Sequence, residues 1–231
     1  ARLLSDFVNS LPDDRIEIKS VVEPLSVSLD CQRFSANING TDPEEFPPIP
    51  TVDEGATIKV DPQLLKDTVT HVAFAAATED SRPVLTGIKV EVNQSDFTFA
   101  AADGFRLAVY EGKLLEPISE AMEFIIPAKA LQEVGRLIGT DDTAVEFTVT
   151  PAGTHALFNI GNVEIVSQLM PGSFPNFRSL IPAEYKNQVI VQNSDFSRAV
   201  KTSSIFARDG SGVLRIQIVN DEDGGKLSIS S

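Results

Sequence analysis

The sequence repeats itself with a period of about 130 residues, and this repeat limits the possible folds more than any local pattern does. Val60 and Leu65 align with Val191 and Phe196, and in both copies a predicted strand leads into an amphipathic helix. The N-terminal helix aligns in the same way with the helix that begins near Lys129. The repeat indicates a chain of 231 residues built from similar domains, with one whole copy flanked by part of a copy on each side.

Local patterns predict a strand-rich α+β fold. Apolar residues spaced three and four apart predict helices at about 2–11, 62–77, 128–138 and 194–208. Apolar alternation between turn residues predicts strands at about 15–22, 25–38, 57–60, 84–92, 96–102, 105–110, 144–150, 154–160, 163–169, 188–192, 213–219 and 226–230. Asp103-Gly104 lies between two of these strands and predicts a hairpin turn. Short helices and antiparallel strands in this mixture favour helices laid on one face of a curved sheet.

Two interruptions divide the chain. A Pro-rich stretch at 46–55 predicts a first linker, and Pro182 with its charged neighbours predicts a second near 181–188. We therefore predict three parts: residues 1–50 as the second half of one copy, 56–181 as a complete copy, and 186–231 as the first half of a third.

Few residues offer catalytic or metal-binding chemistry. His71 and His155 have no third partner at metal-ligand spacing, and one cysteine, Cys31, cannot form a zinc cluster or an internal disulfide. The sequence has neither a phosphate-binding P-loop nor a dinucleotide fingerprint. We therefore predict no metal, no cofactor and no catalytic site. A hydrolase that uses Asp103 or His155 stays open as a competing interpretation.

The composition predicts a packed protein of the cytoplasm. Apolar residues make up 42% of the chain and charged residues 23%, as in ordinary globular domains. The longest apolar run, 72–77, is too short for a membrane-spanning helix, and the N-terminus shows no secretory signal pattern. A single cysteine fits a reducing compartment.

The charge is unevenly distributed. The net charge of −14 argues against a protein that binds nucleic-acid phosphates over its whole surface. The four predicted helices nevertheless carry a net charge of +3, and the rest of the chain carries −17. The basic residues on these helices are Arg2, Lys66, Lys129, Arg136, Arg198, Lys201 and Arg208. If the helices share one face, that face is positive while the remaining surface repels anions.

Several segments resemble the bacterial sliding clamps, the beta subunits of DNA polymerase III. These segments are SRPVLTGI at 81–88, AADGFRLAV at 101–109, IIPAKAL at 125–131, SQLMPGSFPNFRSLIP at 167–182 and GVLRIQI at 212–218. The resemblance covers the whole chain in the right order. It implies a DNA-clamp fold, with repeated domains whose helices line an inner face and whose antiparallel sheets lie outside.

The resemblance also implies a function and partners. Two subunits join head to tail as a homodimeric ring around double-stranded DNA, slide without sequence specificity, and raise polymerase processivity without catalysis. Partners insert a peptide into a hydrophobic groove between domains two and three. The implied partners are the DNA polymerase III alpha subunit, the clamp loader delta subunit, and other polymerases and repair proteins that carry a clamp-binding motif.

The groove of the family maps onto nine positions here. They are Leu85, Ala102, Gly104, Phe105, Arg106, Leu107, Pro175, Ser179 and Leu180. Ala102, Phe105 and Ser179 depart from the Thr, His and Arg that are frequent in the family, which implies a different peptide preference.

Two further sets follow from the resemblance and from the helix charges. By resemblance Arg82, Lys129 and Arg136 face DNA, and the helix charge pattern adds Arg198 and Lys201. Glu79 stands in the Arg82 loop where a polar DNA-facing residue is expected. The dimer interface maps onto Phe34 and Ala36 in domain one and onto Ile205 and Phe206 in domain three. The alternative to a clamp is an acidic, non-catalytic interaction module that does not enclose DNA.

Overall fold

The chain divides into two compact units, Ala1–Phe174 and Pro175–Ser231. The computed structural model describes residues 2–46, 55–79, 81–139, 143–207, 212–221 and 224–231. Most of the first predicted linker, Arg208, and the end of the fourth predicted helix lie outside the described residues. The three-part division of the chain stays a prediction.

The first unit begins with a helix and a small sheet. Helix α1 spans Arg2–Ser10, and the strands are β1 at Glu17–Val21, β2 at Ser26–Cys31 and β3 at Phe34–Asn39. The strands are antiparallel in the order β1-β2-β3, which leaves β3 at one edge. The single strand predicted at 25–38 is wrong, because the chain turns at Gln32, where φ is 50°.

The rest of the first unit contains two helices and two four-stranded antiparallel sheets. The helices are α2 at Pro62–Val72 and α3 at Ala128–Leu137. The strands of one sheet are β4 at Ala56–Val60, β9 at Val145–Val149, β10 at His155–Ile160 and β11 at Val163–Gln168. The strands of the other are β5 at Gly87–Asn93, β6 at Asp96–Ala102, β7 at Leu107–Lys113 and β8 at Met122–Pro127.

Strand exchange ties the two halves of this region together. Each half runs strand, helix and three strands, and the sheet orders are β11-β10-β9-β4 and β7-β6-β5-β8. The first strand of each half thus completes the sheet of the other half, with β4 paired to β9 and β8 paired to β5. The sequence analysis missed β8, so it missed one of these two exchanges.

The helices pack on each other and on the sheets. The carboxylate of Asp61 caps α2 by accepting from the backbone N–H of Leu64 at 2.8 Å, and Pro62 occupies the first turn. Gly135 on α3 lies against Val69 on α2, where an added Cβ would come within 3.3 Å of Cγ1. The buried core between helices and sheets contains these large side chains: Phe97, Phe99, Phe147, Phe158, Ile58, Ile88, Ile126, Leu65 and Leu131. Helices α2 and α3 therefore present their charged residues on the side away from this core.

The second unit is described by itself. A 3₁₀ turn spans Phe177–Leu180, helix α4 spans Asn193–Ala207, and strands β12 at Arg215–Asp221 and β13 at Gly224–Ser230 form an antiparallel hairpin. The strand predicted at 188–192 is wrong, since the backbone there is irregular. No helix in the described ranges is long and apolar enough to cross a membrane.

Candidate functional site

The residues considered for catalysis have structural contacts. Nδ1 of His71 lies 2.7 Å from the carbonyl oxygen of Asp67, and its ring stacks on Tyr110 at 5.9 Å between centroids. Nδ1 of His155 lies 3.0 Å from the hydroxyl of Thr154. Within the described part of the chain, no three His, Cys, Asp or Glu side chains are grouped to hold a metal.

Asp103 organises the turn between β6 and β7. Its Oδ1 accepts from the backbone N–H of Phe105 at 2.9 Å and of Arg106 at 3.0 Å, and its Oδ2 accepts from Nε of Arg106 at 2.9 Å. The two backbone N–H groups, with the Arg106 side chain, hold the pKa of Asp103 below its ordinary value. The predicted hairpin turn is confirmed, and Asp103 is its organising residue.

This turn presents Phe105 to solvent. Gly104 adopts a φ of 96°, which side chains rarely tolerate, and the chain reverses there. The side chain of Phe105 is 98% exposed. The hydrogen bonds of the turn fix the backbone at Phe105, so contact of this ring with another molecule would require little further ordering of the backbone.

Basic and aromatic groups surround the turn. The guanidinium of Arg106 lies over the exposed ring of Phe74, 5.6 Å from its centroid. A cavity of about 220 Å³ adjoins the turn. It is lined by Ala76, Ala77, Thr78, Glu79, Ser81, Arg82, Leu85, Asp103, Phe105 and Arg106. Leu85, buried in the 3₁₀ turn Pro83–Thr86, supplies apolar surface, and Arg82 supplies charge.

Six of the nine predicted groove residues lie at this turn. Leu85, Phe105 and Arg106 line the cavity, Gly104 forms the turn, and Ala102 pairs with Leu107 where β6 and β7 meet it. The other three belong to the second unit and are exposed: Pro175, Ser179 and Leu180. The hydroxyl of Ser179 donates to the carbonyl of Asn176 at 2.7 Å.

Sequence reasoning missed Phe74 as a neighbour of this site. The sequence feature that could have indicated it is the position of Phe74. It follows the buried Ala73, at the point where the helical spacing of the buried residues of α2 ends.

The predicted DNA-facing residues have unlike surroundings. Lys129 on α3 is exposed, whereas Arg136 on the same helix is ion-paired with Glu133, with 2.7 Å between Nη2 and Oε2. Arg198 and Lys201 are exposed on α4. Arg82 lines the cavity beside the turn.

The predicted interface residues combine apolar character with exposure. Phe34 lies on edge strand β3, is 39% exposed, and has the guanidinium of Arg33 at 5.3 Å from its ring centroid. Ala36 on the same strand is half-buried. On α4, Ile205 is 60% exposed and Phe206 is 72% exposed. Adjacent exposed apolar side chains of this size are typical of a contact surface.

Taken together, the described residues form a repeated arrangement of helix and antiparallel sheet, with an exposed aromatic turn beside a partly basic cavity, and exposed aromatic surface of this kind is typical of proteins that bind other macromolecules. The family model described as "DNA polymerase III beta subunit, central domain" matches residues 59–176, just over half of the chain. The chain therefore belongs to the DNA polymerase III beta subunit family.

Individual relatives agree with this assignment. The chain is 33% identical over 210 residues to the beta sliding clamp of Bacillus subtilis strain 168, covering 91% of this chain and 55% of that protein. It is 29% identical over 230 residues to the beta sliding clamp of Staphylococcus aureus strain Mu50, covering 100% of this chain and 60% of that protein. The chain thus spans less than two thirds of the length of these relatives.

Solved structures show the same fold. The DNA polymerase sliding clamp of Bacillus subtilis matches with a TM-score of 0.79 at 29% identity, covering 99% of this chain and 62% of that one. The DNA polymerase III beta subunit of Thermotoga maritima matches with a TM-score of 0.78 at 24% identity, covering 98% of this chain and 63% of that one, a likeness of fold. The predicted α+β clamp fold is confirmed.

Proposed function

We propose that this chain is part of a sliding clamp that acts in the cytoplasm as a processivity factor for DNA polymerase III and catalyses no reaction itself. The observation that carries the proposal is the clamp fold, matched over 99% of the chain at a TM-score of 0.79. A clamp needs a closed ring, a positive inner face and a docking site for partners. The described residues support each of these in a different way.

The inner face would hold DNA by diffuse attraction. Helices α2 and α3 pack on each other, so their polar sides share one surface. Lys129 there, with Arg198 and Lys201 on α4, would attract phosphates without reading bases. Arg82 and Arg136 complete the set that we propose to face DNA, and of these Arg136 is ion-paired with Glu133. Contacts of this kind permit sliding, because every position along a duplex offers the same phosphates.

The docking site would include the turn that presents Phe105. Leu85, Leu107, Pro175 and Leu180 supply the apolar groups that we assign to the groove, and Phe105 adds aromatic surface. An extended peptide with aliphatic and aromatic anchors fits this chemistry. The proposed owners of such peptides are the DNA polymerase III alpha subunit, the clamp loader delta subunit, and other polymerases and repair proteins that carry a clamp-binding motif.

The ring would close through two different surfaces. Phe34 and Ala36 lie on the edge strand β3 of its sheet, and Ile205 and Phe206 lie on α4. If the first surface of one subunit meets the second surface of another, a rotation of 180° closes a homodimer with two equal interfaces.

Retention on circular DNA tests the proposal. The sequence is extended at both ends to the length of its relatives; we refer to this protein as the completed chain. It is loaded onto nicked circular DNA by a bacterial clamp loader and washed at high salt before and after the circle is linearised. Retention that resists salt on the circle and disappears on the line supports an enclosing ring, since phosphate contacts alone weaken steeply with salt. Equal loss from circle and line, with a competent loader, contradicts it.

The net charge of −14 favours one other candidate, an acidic interaction module that never encloses DNA. That protein would bind partner peptides through the Phe105 turn, would show no difference between circle and line, and would not need basic residues on its helices. The same retention experiment separates the two candidates.

A further inference from the structure

Two of the three basic side chains on helices α2 and α3 are engaged within the protein. Nε of Arg136 donates to Oε2 of Glu133 at 2.8 Å, and Nη2 of Arg136 lies 2.7 Å from the same oxygen. Nζ of Lys66 donates to the carbonyl of Ile138 at 3.2 Å, at the C-terminal end of α3. That end of a helix carries partial negative charge, so Lys66 has both a hydrogen bond and a favourable field where it lies.

The other basic side chain of α3 and the two basic side chains of α4 differ from these two. Within the described ranges, Lys129, Arg198 and Lys201 form no ion pair, and all three are exposed. The charge available to a phosphate is therefore distributed unequally. Helix α4 offers two basic side chains that are neither ion-paired nor hydrogen-bonded to a helix end, whereas α2 and α3 together offer one.

Glu133 affects Arg136 in two ways. Residues three apart share one face of a helix, so the carboxylate is a close neighbour of the guanidinium. A phosphate that approached Arg136 would compete with Oε2 for Nε and Nη2, and it would meet the negative charge of Glu133 even at the N–H groups that Oε2 leaves free. The ion pair is open to solvent, with 68% and 57% of the two side chains exposed, so no other side chain needs to move when Glu133→Gln removes the carboxylate charge beside Arg136.

We propose that Glu133 withholds Arg136 from DNA, so that α3 holds the phosphate backbone through Lys129 alone. Glu133 is a positioning residue that acts through Arg136 and lowers the affinity of this domain for the duplex. A lower affinity favours rapid sliding, because a closed ring stays on the DNA without tight phosphate contacts. This inference rests on the proposed function, because it concerns the strength of DNA contact by the same helices.

The salt dependence of DNA binding tests it. Binding of the completed chain to a fluorescent linear duplex is measured by anisotropy between 50 and 200 mM salt, where each phosphate contact contributes about 0.9 to the slope of log K against log[salt]. Glu133→Gln should steepen the slope by about 0.9, because Arg136 becomes a new contact. In an Arg136→Gln background the same change should leave the slope unaltered. Lys129→Gln should reduce the slope by about 0.9.

Asp67→Asn is the matched control. It removes one negative charge from α2 without releasing an ion-paired side chain, so its slope should equal that of the unmodified protein. The inference is overturned if Glu133→Gln leaves the slope unchanged, if Asp67→Asn steepens it equally, or if Arg136→Gln alone reduces it as much as Lys129→Gln does. Failure of the proposed function looks different, since no variant would then bind the duplex measurably. All substituted side chains are exposed or half-exposed, and unchanged thermal unfolding verifies that each variant folds.

Discussion

The guanidinium of Arg82 lies directly over Gly104. A Cβ added to Gly104 would lie 2.8 Å from Nη2 of Arg82. The loop that carries Arg82 and the turn that presents Phe105 therefore meet at a residue without a side chain. This contact connects the proposed DNA-facing set to the proposed groove, and it makes the conformation of the turn important for both.

Gly104→Ala should destabilise the protein and disturb the turn. A residue with a Cβ at a φ of 96° costs about 1–2 kcal/mol, and the new methyl group would also displace Arg82. Urea unfolding of the completed chain measures the loss. Gly139→Ala is the control, because no atom of the described residues lies within 4 Å of its added Cβ and Gly139 has no positive φ. Equal stability of the two variants would contradict the structure of the turn.

The stability contributed by Asp103 should depend on pH. Backbone hydrogen bonds from Phe105 and then Arg106 lower the pKa of Asp103 from its ordinary value of 3.8, so folding favours the ionised carboxylate. The stabilisation is complete above pH 3.8 and is lost as the pH falls through the lowered pKa. Asp103→Asn should therefore lower stability at neutral pH, and the difference from the unmodified protein should shrink in acid.

Unfolding of both proteins from neutral pH into acid checks this. Asp96→Asn is the control, since the carboxylate of Asp96 accepts from the ammonium of Lys113 and from no backbone N–H among the described residues. A destabilisation by Asp103→Asn that stays constant down to the lowest pH would show that the carboxylate charge plays no part in the turn.

Phe105→Ala should weaken partner binding while leaving folding unchanged. The ring is 98% exposed, so its removal costs the folded state almost no packing. On burial against a partner, a Phe side chain contributes about 1.5–3 kcal/mol, which is roughly 10- to 150-fold in affinity. Calorimetry with a peptide that carries a clamp-binding motif measures the effect on the completed chain. Leu115→Ala, an exposed apolar residue on another loop, should bind as the unmodified protein does.

Local sequence patterns predicted the helices and turns that the preferences of neighbouring residues determine. Helix α3 was expected at about 128–138 because Leu131 and Val134 fall on one face, and both are buried. The turn at Asp103-Gly104 followed from two residues whose preference is strong by itself. Strand β8 was missed because its buried segment Phe124, Ile125 and Ile126 is continuously apolar instead of alternating.

Features that depend on distant residues were not visible in the sequence. Val189, Ile190 and Val191 have the composition of a strand, yet no described strand pairs with them and Ile190 is 92% exposed. At the candidate site, the positions of Arg82 and Phe74 depend on tertiary packing. The ion pair of Arg136 with Glu133 has helical spacing and was predictable, but a count of charges per helix does not show which charges are already paired.

The proposed ring interface predicts a mixing experiment. In the completed chain, Phe34→Asp and Phe206→Asp should each abolish the dimer, because each places a carboxylate in an apolar contact and affects both interfaces of the ring. Both side chains are partly or largely exposed in the chain, at 39% and 72%, so neither change should prevent folding. Analytical ultracentrifugation measures the monomer fraction. Val163→Asp, an exposed apolar position on β11, is the control and should remain dimeric.

An equimolar mixture of the two variants distinguishes how the surfaces pair. If Phe34 of one subunit meets Phe206 of the other, a mixed dimer has one interface with both changes and one with neither. The mixture should then recover dimers through the unchanged interface, although such an open dimer should not resist salt on circular DNA. If the two residues instead belonged to surfaces that each pair with themselves, every mixed contact would contain one carboxylate and mixing would restore nothing. Recovery on mixing therefore requires the head-to-tail arrangement, because only two unlike surfaces can leave one interface intact.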